Sequence, residues 1–156
     1  MVFWLLVLLT TGAAQAQSPQ RPWVIVGLGS GSYRFDGGTP QRGGLGSVGL
    51  RLHVAQTFQI GIEASFLLLG EGSTHAVLSG MLYLYPSGTG HLFFKAGLGS
   101  ARLDRRNYGS STAEALVGGL GYDIRVSDKA SLTPFLDGGL QALNTWWQFG
   151  LAVSFR

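Results

Sequence analysis

Ser47-Val48-Gly49-Leu50-Arg51-Leu52-His53-Val54, followed after a short break by Phe58-Gln59-Ile60-Gly61-Ile62-Glu63-Ala64-Ser65-Phe66, is the stretch that decides the fold. In the first segment Val48, Leu50, Leu52 and Val54 alternate with Ser47, Gly49, Arg51 and His53. In the second, Phe58, Ile60, Ile62 and Phe66 alternate with Gln59, Gly61, Glu63 and Ser65. A period of two marks a strand whose faces meet different surroundings. A soluble sandwich or lipocalin would fill its solvated face with Lys, Glu and Thr. Here glycine and serine dominate that face, with single charges among them. This suits strands that turn apolar residues to lipid and small or charged ones into a narrow lumen.

The same split continues outward. Leu92, Phe94, Ala96 and Leu98 oppose Lys95, Gly97 and Gly99; Leu116, Leu120, Tyr122 and Ile124 oppose Gly119, Gly121, Asp123 and Arg125. Near the end, Trp147, Phe149, Leu151, Val153 and Phe155 oppose Gln148, Gly150, Ala152 and Ser154. Glycine and polar punctuation delimits strands over 23–34, 44–54, 57–69, 74–85, 91–102, 112–126, 130–143 and 146–155. Most have the roughly 9–11 residues that a tilted strand needs to cross a bilayer. No segment after Pro22 shows a convincing helical period.

Composition agrees. The 156 residues make room for one domain and include 25 glycines, 12% charged residues and no cysteine. Average soluble domains carry about 25% charged residues and about 7% glycine. No run reaches the roughly 20 apolar residues of a spanning helix, the longest being Met1 to Leu9. Only helices and closed barrels satisfy every backbone group in lipid. The sequence therefore reads as all-β, an eight-stranded antiparallel up-and-down transmembrane β-barrel. A net charge of +3 is too small to argue for nucleic acid.

Residues 1–16 read as a secretory signal: Val2 to Leu9 is apolar, and Ala14-Gln15-Ala16 supplies the small-residue cleavage site. Residues 17–22 form a polar spacer, and 23–156 the barrel. An even strand count returns both termini to the periplasm. Ala55-Gln56, Pro86 to Gly90 and Ser127 to Lys129 then become periplasmic turns. Phe35 to Gly43, Gly70 to Ser73, Leu103 to Ser111 and Asn144-Thr145 become external connections.

Arg51, Glu63, Lys95, Asp123, Arg125 and Asp137 all take the lumenal parity; Glu114 takes the lipid-facing one near its strand's external end. Three cations and three anions in one bore form a self-neutralising network, with Lys95 and Asp123, on neighbouring strands, as the expected contact. An eight-stranded barrel is only wide enough to be filled by its own side chains, which disfavours a diffusion pore.

Enzymatic readings find less support. Glu63 and Asp137 could serve as an acid/base pair, but lumenal cations offer them partners. Glu71, Ser73 and His75 contain the residue types of a hydrolase triad within one short segment, whereas working triads are assembled from distant segments. His53, His75 and His91 have no metal-ligand spacing; no metal, cofactor or catalytic residue is assigned. Gly27-Leu28-Gly29-Ser30-Gly31 lacks the helix that a phosphate-cradling loop requires. Arg102, Asp104, Arg105, Arg106 and Tyr108 form a basic external loop that reads equally as a contact for anionic lipopolysaccharide or as a solvated loop. Trp23, Tyr85, Trp146, Trp147 and Phe155 are placed in an aromatic girdle. Pro134, unable to donate to a ladder, belongs at its strand's periplasmic end or at a bulge.

Tyr83-Leu84-Tyr85-Pro86, Phe93-Phe94-Lys95-Ala96-Gly97-Leu98-Gly99, Gly119-Leu120-Gly121-Tyr122-Asp123-Ile124-Arg125 and Leu132-Thr133-Pro134-Phe135-Leu136 together resemble the outer-membrane β-barrel domain family, which includes OmpX-like, OmpA-like and opacity-type proteins. The resemblance implies a bacterial outer-membrane location, outer-membrane lipids as surroundings and the barrel-assembly machinery as a partner during biogenesis. The last strand resembles the family's assembly signal, although Arg156 follows the terminal aromatic. Roles within the family vary, and the expectation is a structural or surface-interaction protein of the cell envelope rather than an enzyme. A lipid-modifying outer-membrane enzyme and a soluble periplasmic lipid binder are the alternatives.

Overall fold

A computed structural model describes residues 21–35, 38–87, 91–106 and 108–156. The signal segment and most of the spacer lie outside the described residues. The alternating segments form β1 (Trp23–Arg34), β2 (Gln41–Ala55), β3 (Phe58–Leu69), β4 (Thr74–Leu84), β5 (Leu92–Arg105), β6 (Gly109–Tyr122), β7 (Ile124–Ser127), β8 (Ala130–Gln141) and β9 (Asn144–Phe155). Each pairs antiparallel with its neighbour, and β6 and β7 are two segments of one stave lying along β8, so the nine segments make an eight-stranded ring. β9 closes the ring on β1, with Val24 opposite Phe155 and Arg34 opposite Thr145. Both ends of the barrel-forming chain therefore lie at one end of the barrel, the terminal end. The connections after β1, β3, β5 and β8 lie at the other, the loop end.

The expected faces are the observed ones. Leu28, Leu50, Ile62, Leu98, Leu116, Phe149 and Leu151 stand outward and exposed, in a band that runs around the barrel. Apolar surface of this extent is not carried into water by a soluble monomer. Among the described residues no helix is long and apolar enough to cross a membrane, so strands supply any crossing.

Three details differ from the sequence expectation. The ladder extends further at the loop end: β2 starts at Gln41, β5 runs to Arg105 and β6 starts at Gly109, with Leu103 opposite Ser111 and Arg105 opposite Gly109. Continued pairing satisfies backbone groups that a long loop would leave to water. The link between β3 and β4 contains one turn of 3-10 helix, Gly70–Gly72, and Gly72 supplies its positive φ of 72°. Third, the sixth stave is broken at Asp123. Pairing lapses between Gly121 opposite Phe135 and Ile124 opposite Leu132, and Pro134 lies within that gap, with no N–H to offer. This explains the proline: it sits at a ladder interruption in the terminal half of its stave.

Candidate functional site

The lumen is the candidate site, and its chemistry changes along the axis. At mid-height Lys95 on β5, Gly119 on β6 and Asp137 on β8 are register partners across three strands. Gly119 lets the outer two meet, because a Cβ there would collide with Asp137 Oδ1 and come within 2.7 Å of the Leu136 carbonyl. Lys95 Nζ donates to Asp137 Oδ2 at 2.9 Å and to Glu63 Oε2 at 2.6 Å. The Tyr83 hydroxyl donates to the other Glu63 oxygen, and Gln148 Nε2 donates to Asp137 Oδ2 at 3.4 Å. One ammonium thus lies between two carboxylates, each with a further donor.

Toward the terminal end, Arg51 forms a second cluster. Its Nη1 donates to the Tyr85 hydroxyl at 2.8 Å and to Asp123 Oδ2 at 3.1 Å. Asp123 also accepts from the Tyr85 hydroxyl at 2.8 Å and from Thr133 Oγ1 at 2.5 Å. Asp123 keeps the lumenal alternation of Gly119 and Gly121 and sits at the ladder interruption beside Pro134. The Arg51 guanidinium lies 4.5 Å from the Tyr83 ring centre and 4.9 Å from that of Phe93, so aromatic faces complete its surroundings.

The expected Lys95–Asp123 contact is therefore not made. Lys95 is level with Gly119, four positions along the strand from Asp123, and its partners come from β3 and β8 instead. Strand tilt and stagger decide which lumenal residues meet, and adjacency in chain order does not capture this. Arg125 also leaves the expected network. It lies exposed at the terminal mouth with no ion pair among the described residues, so the buried clusters set two cations against three carboxylates.

The loop half of the bore is filled differently. Leu45, Leu67, Leu69 and Leu103 are buried with Tyr33 and Trp146 in one cluster. His75 packs between two of these rings, 4.6 Å from Tyr33 and 4.9 Å from Trp146, and shares a 3.2 Å hydrogen bond with Gln141 Oε1. Gln141 Nε2 donates to the Ala101 carbonyl at 2.8 Å. Gly139 leaves space for the Trp146 ring, which a Cβ there would strike. His75 takes Gln141 as its hydrogen-bond partner; the Glu71 side chain lies outside the described residues.

Alternation also corrects the girdle. Tyr85 and Trp146 point inward and are buried, and Trp23 lines the terminal mouth, while Trp147 and Phe155 remain outward. Each misplaced ring sits at a strand end one or two residues from an outward neighbour, and its parity was the available signal. The same signal marks Thr133, Gln141, Gln148 and the Ser131–Ser154 pair, which belong to the lumen and carry no charge to draw notice. At the loop end, Arg102 faces outward and grips Asp104 through Nε and Nη2. Arg105 lies 3.8 Å from the Phe35 ring centre, and Arg106 runs against Gly72.

No family matches the chain by sequence, and no curated protein does. Solved structures match its shape over most of its length. Neisserial surface protein A is 9% identical, with 86% of this chain and 96% of that one covered and a TM-score of 0.71. The N-terminal β-barrel domain of Pseudomonas aeruginosa OprF is 15% identical, with 87% and 97% covered and a TM-score of 0.59. Ail, the attachment invasion locus protein of Yersinia pestis, is 12% identical, with 86% and 96% covered and a TM-score of 0.56. The fold is that of the eight-stranded transmembrane barrels of the bacterial outer membrane. At such identities the likeness extends to the barrel and stops there.

Proposed function

We propose that the chain is an integral outer-membrane barrel with a structural or surface-interaction role, and that its lumen is closed to solutes by paired charges beneath an apolar plug. The observation that carries this reading is the filled bore: Lys95 is clasped between Glu63 and Asp137, with the Leu67 and Trp146 layer above it. Lumenal acids already engaged by an ammonium, a guanidinium and hydroxyls are poorly placed to act as general acid and base, which supports a non-enzymatic role.

In this proposal residues 1–16 direct export, the mature chain starts at Gln17, and the termini face the periplasm. The loop end then lies at the cell surface. There Arg105 and Arg106, flanked by Arg102, face the phosphates of lipopolysaccharide, and the barrel-assembly machinery inserts the chain.

Fractionation, heated and unheated gel mobility, and planar-bilayer recording test the reading together. The expected outcome is an outer-membrane species with heat-modifiable mobility and no steady conductance. Recovery in the soluble periplasm would overturn the location, and a conducting wild-type barrel would overturn the closed lumen.

A further inference from the structure

The terminal mouth holds a cleft of about 280 Å³ that the closed-lumen reading leaves without a task. Arg51, His53, Gln59, His91, Asp123 and Arg125 line it, together with Trp23 and the Ser131–Ser154 pair. The space admits several waters or one compact ion. Its charge is unbalanced. Asp123, the one carboxylate among the described residues of the lining, is engaged by Arg51 Nη1, Tyr85 and Thr133, and Arg125 has no ion-pair partner among the described residues. Gln59 Nε2 and His53 Nε2 lie 2.7 Å apart in the lining. At the rim, the Arg156 guanidinium lies 5.1 Å from the Trp23 ring centre.

From this arrangement we infer that the terminal-end cleft is a binding site for a compact oxyanion, a phosphate or carboxylate group borne by a water-soluble molecule, with Arg125 as its principal contact. A guanidinium suits such a group because its planar fork can give two parallel N–H donors to two oxygens. Arg51 is matched by Asp123 in an ion pair, so the excess positive charge of the cleft rests on Arg125, at an opening whose low-dielectric walls concentrate field lines. The site needs no bilayer contact, since it opens along the barrel axis and not through the lipid-facing band.

The full mature barrel, folded in a maltoside detergent that carries no phosphate, is titrated with inorganic phosphate and separately with acetate at constant ionic strength, with amide NMR shifts as the readout. Saturable shifts at His53, Arg125 and Ser131, absent at Tyr33 and Gln141, are expected from at least one of the two anions. Arg125→Gln, a change at an exposed and unpaired position, is expected to weaken that binding by about tenfold or more. Arg125→Lys is expected to fall between the two. Shifts that stay linear with both anions would overturn the site, as would saturation with unchanged affinity in Arg125→Gln. Binding that appears only in nanodiscs of anionic lipid would overturn the soluble source.

Discussion

The two halves of the bore solve the same packing problem with opposite chemistry. In the loop half, Leu45, Leu67, Leu69, Leu103 and Trp146 fill the space by shape, and the polar groups among them, His75 and Gln141, satisfy each other. In the terminal half, ion pairs are set among aromatic rings: Lys95 with Glu63 and Asp137, and Arg51 with Asp123, against Tyr83, Tyr85 and Phe93. An apolar filling tolerates any neighbour of suitable volume, whereas each buried charge depends on a named counter-charge. The first half depends on volume; the second depends on partners.

The sharpest test of this contrast is Lys95→Met. It leaves Glu63 and Asp137 facing each other without their shared cation, and the expected loss is about 3–5 kcal/mol of unfolding free energy in lipid vesicles. Adding Glu63→Gln and Asp137→Asn should recover much of that loss. Asp123→Leu should not, since Asp123 belongs to Arg51. A double-mutant cycle in which Asp123→Leu rescued Lys95→Met would dissolve the two-cluster description.

A smaller loss is expected in the loop half. Leu67→Ala removes a fully packed side chain and should cost about 2–5 kcal/mol, without any polar substitution elsewhere restoring it. Rescue should come only from added volume, and intermittent conductance in single-barrel recordings would show that this layer is part of the seal.

The smallest expected effect is at the interruption. Pro134→Ala returns one N–H to the ladder, worth about 0.5–1.5 kcal/mol net, and relaxes a restraint on the unfolded chain worth roughly 0.4–1 kcal/mol in the other direction. Stability should therefore change by less than about 1 kcal/mol. The Arg51–Asp123 pair lies beside the interruption, so its coupling energy, measured with and without Pro134→Ala, reports whether the gap bears on that contact.

What the sequence discloses follows from what is local. Alternation is a property of neighbouring residues, so the strands, their faces and the lumenal position of Arg51, Glu63, Lys95, Asp123 and Asp137 can be read along the chain. Ring closure and stagger are not local. Whether Lys95 meets Asp123 or Asp137 depends on how far each strand is displaced against the next, summed around the barrel. Arg125 shows the limit of parity at a stave's end: it has the lumenal alternation but lies where the bore has already opened. Trp146 shows the converse, since the pair Trp146-Trp147 invites a common girdle assignment, yet adjacent residues in a strand must face opposite ways.

The seam between β1 and β9 also sets a schedule. Val24 pairs with Phe155, so the hydrogen bonds that close the ring join the two extremes of the barrel-forming chain. Contacts so distant along the chain carry a large loop-closure entropy before they return any enthalpy. Until the final strand arrives, β1 presents an unpaired edge, the kind of surface that templates misassembly. Closure thus waits on β9: a chain lacking it would be an open sheet with a sticky margin, whereas one more strand leaves the barrel with no margin at all.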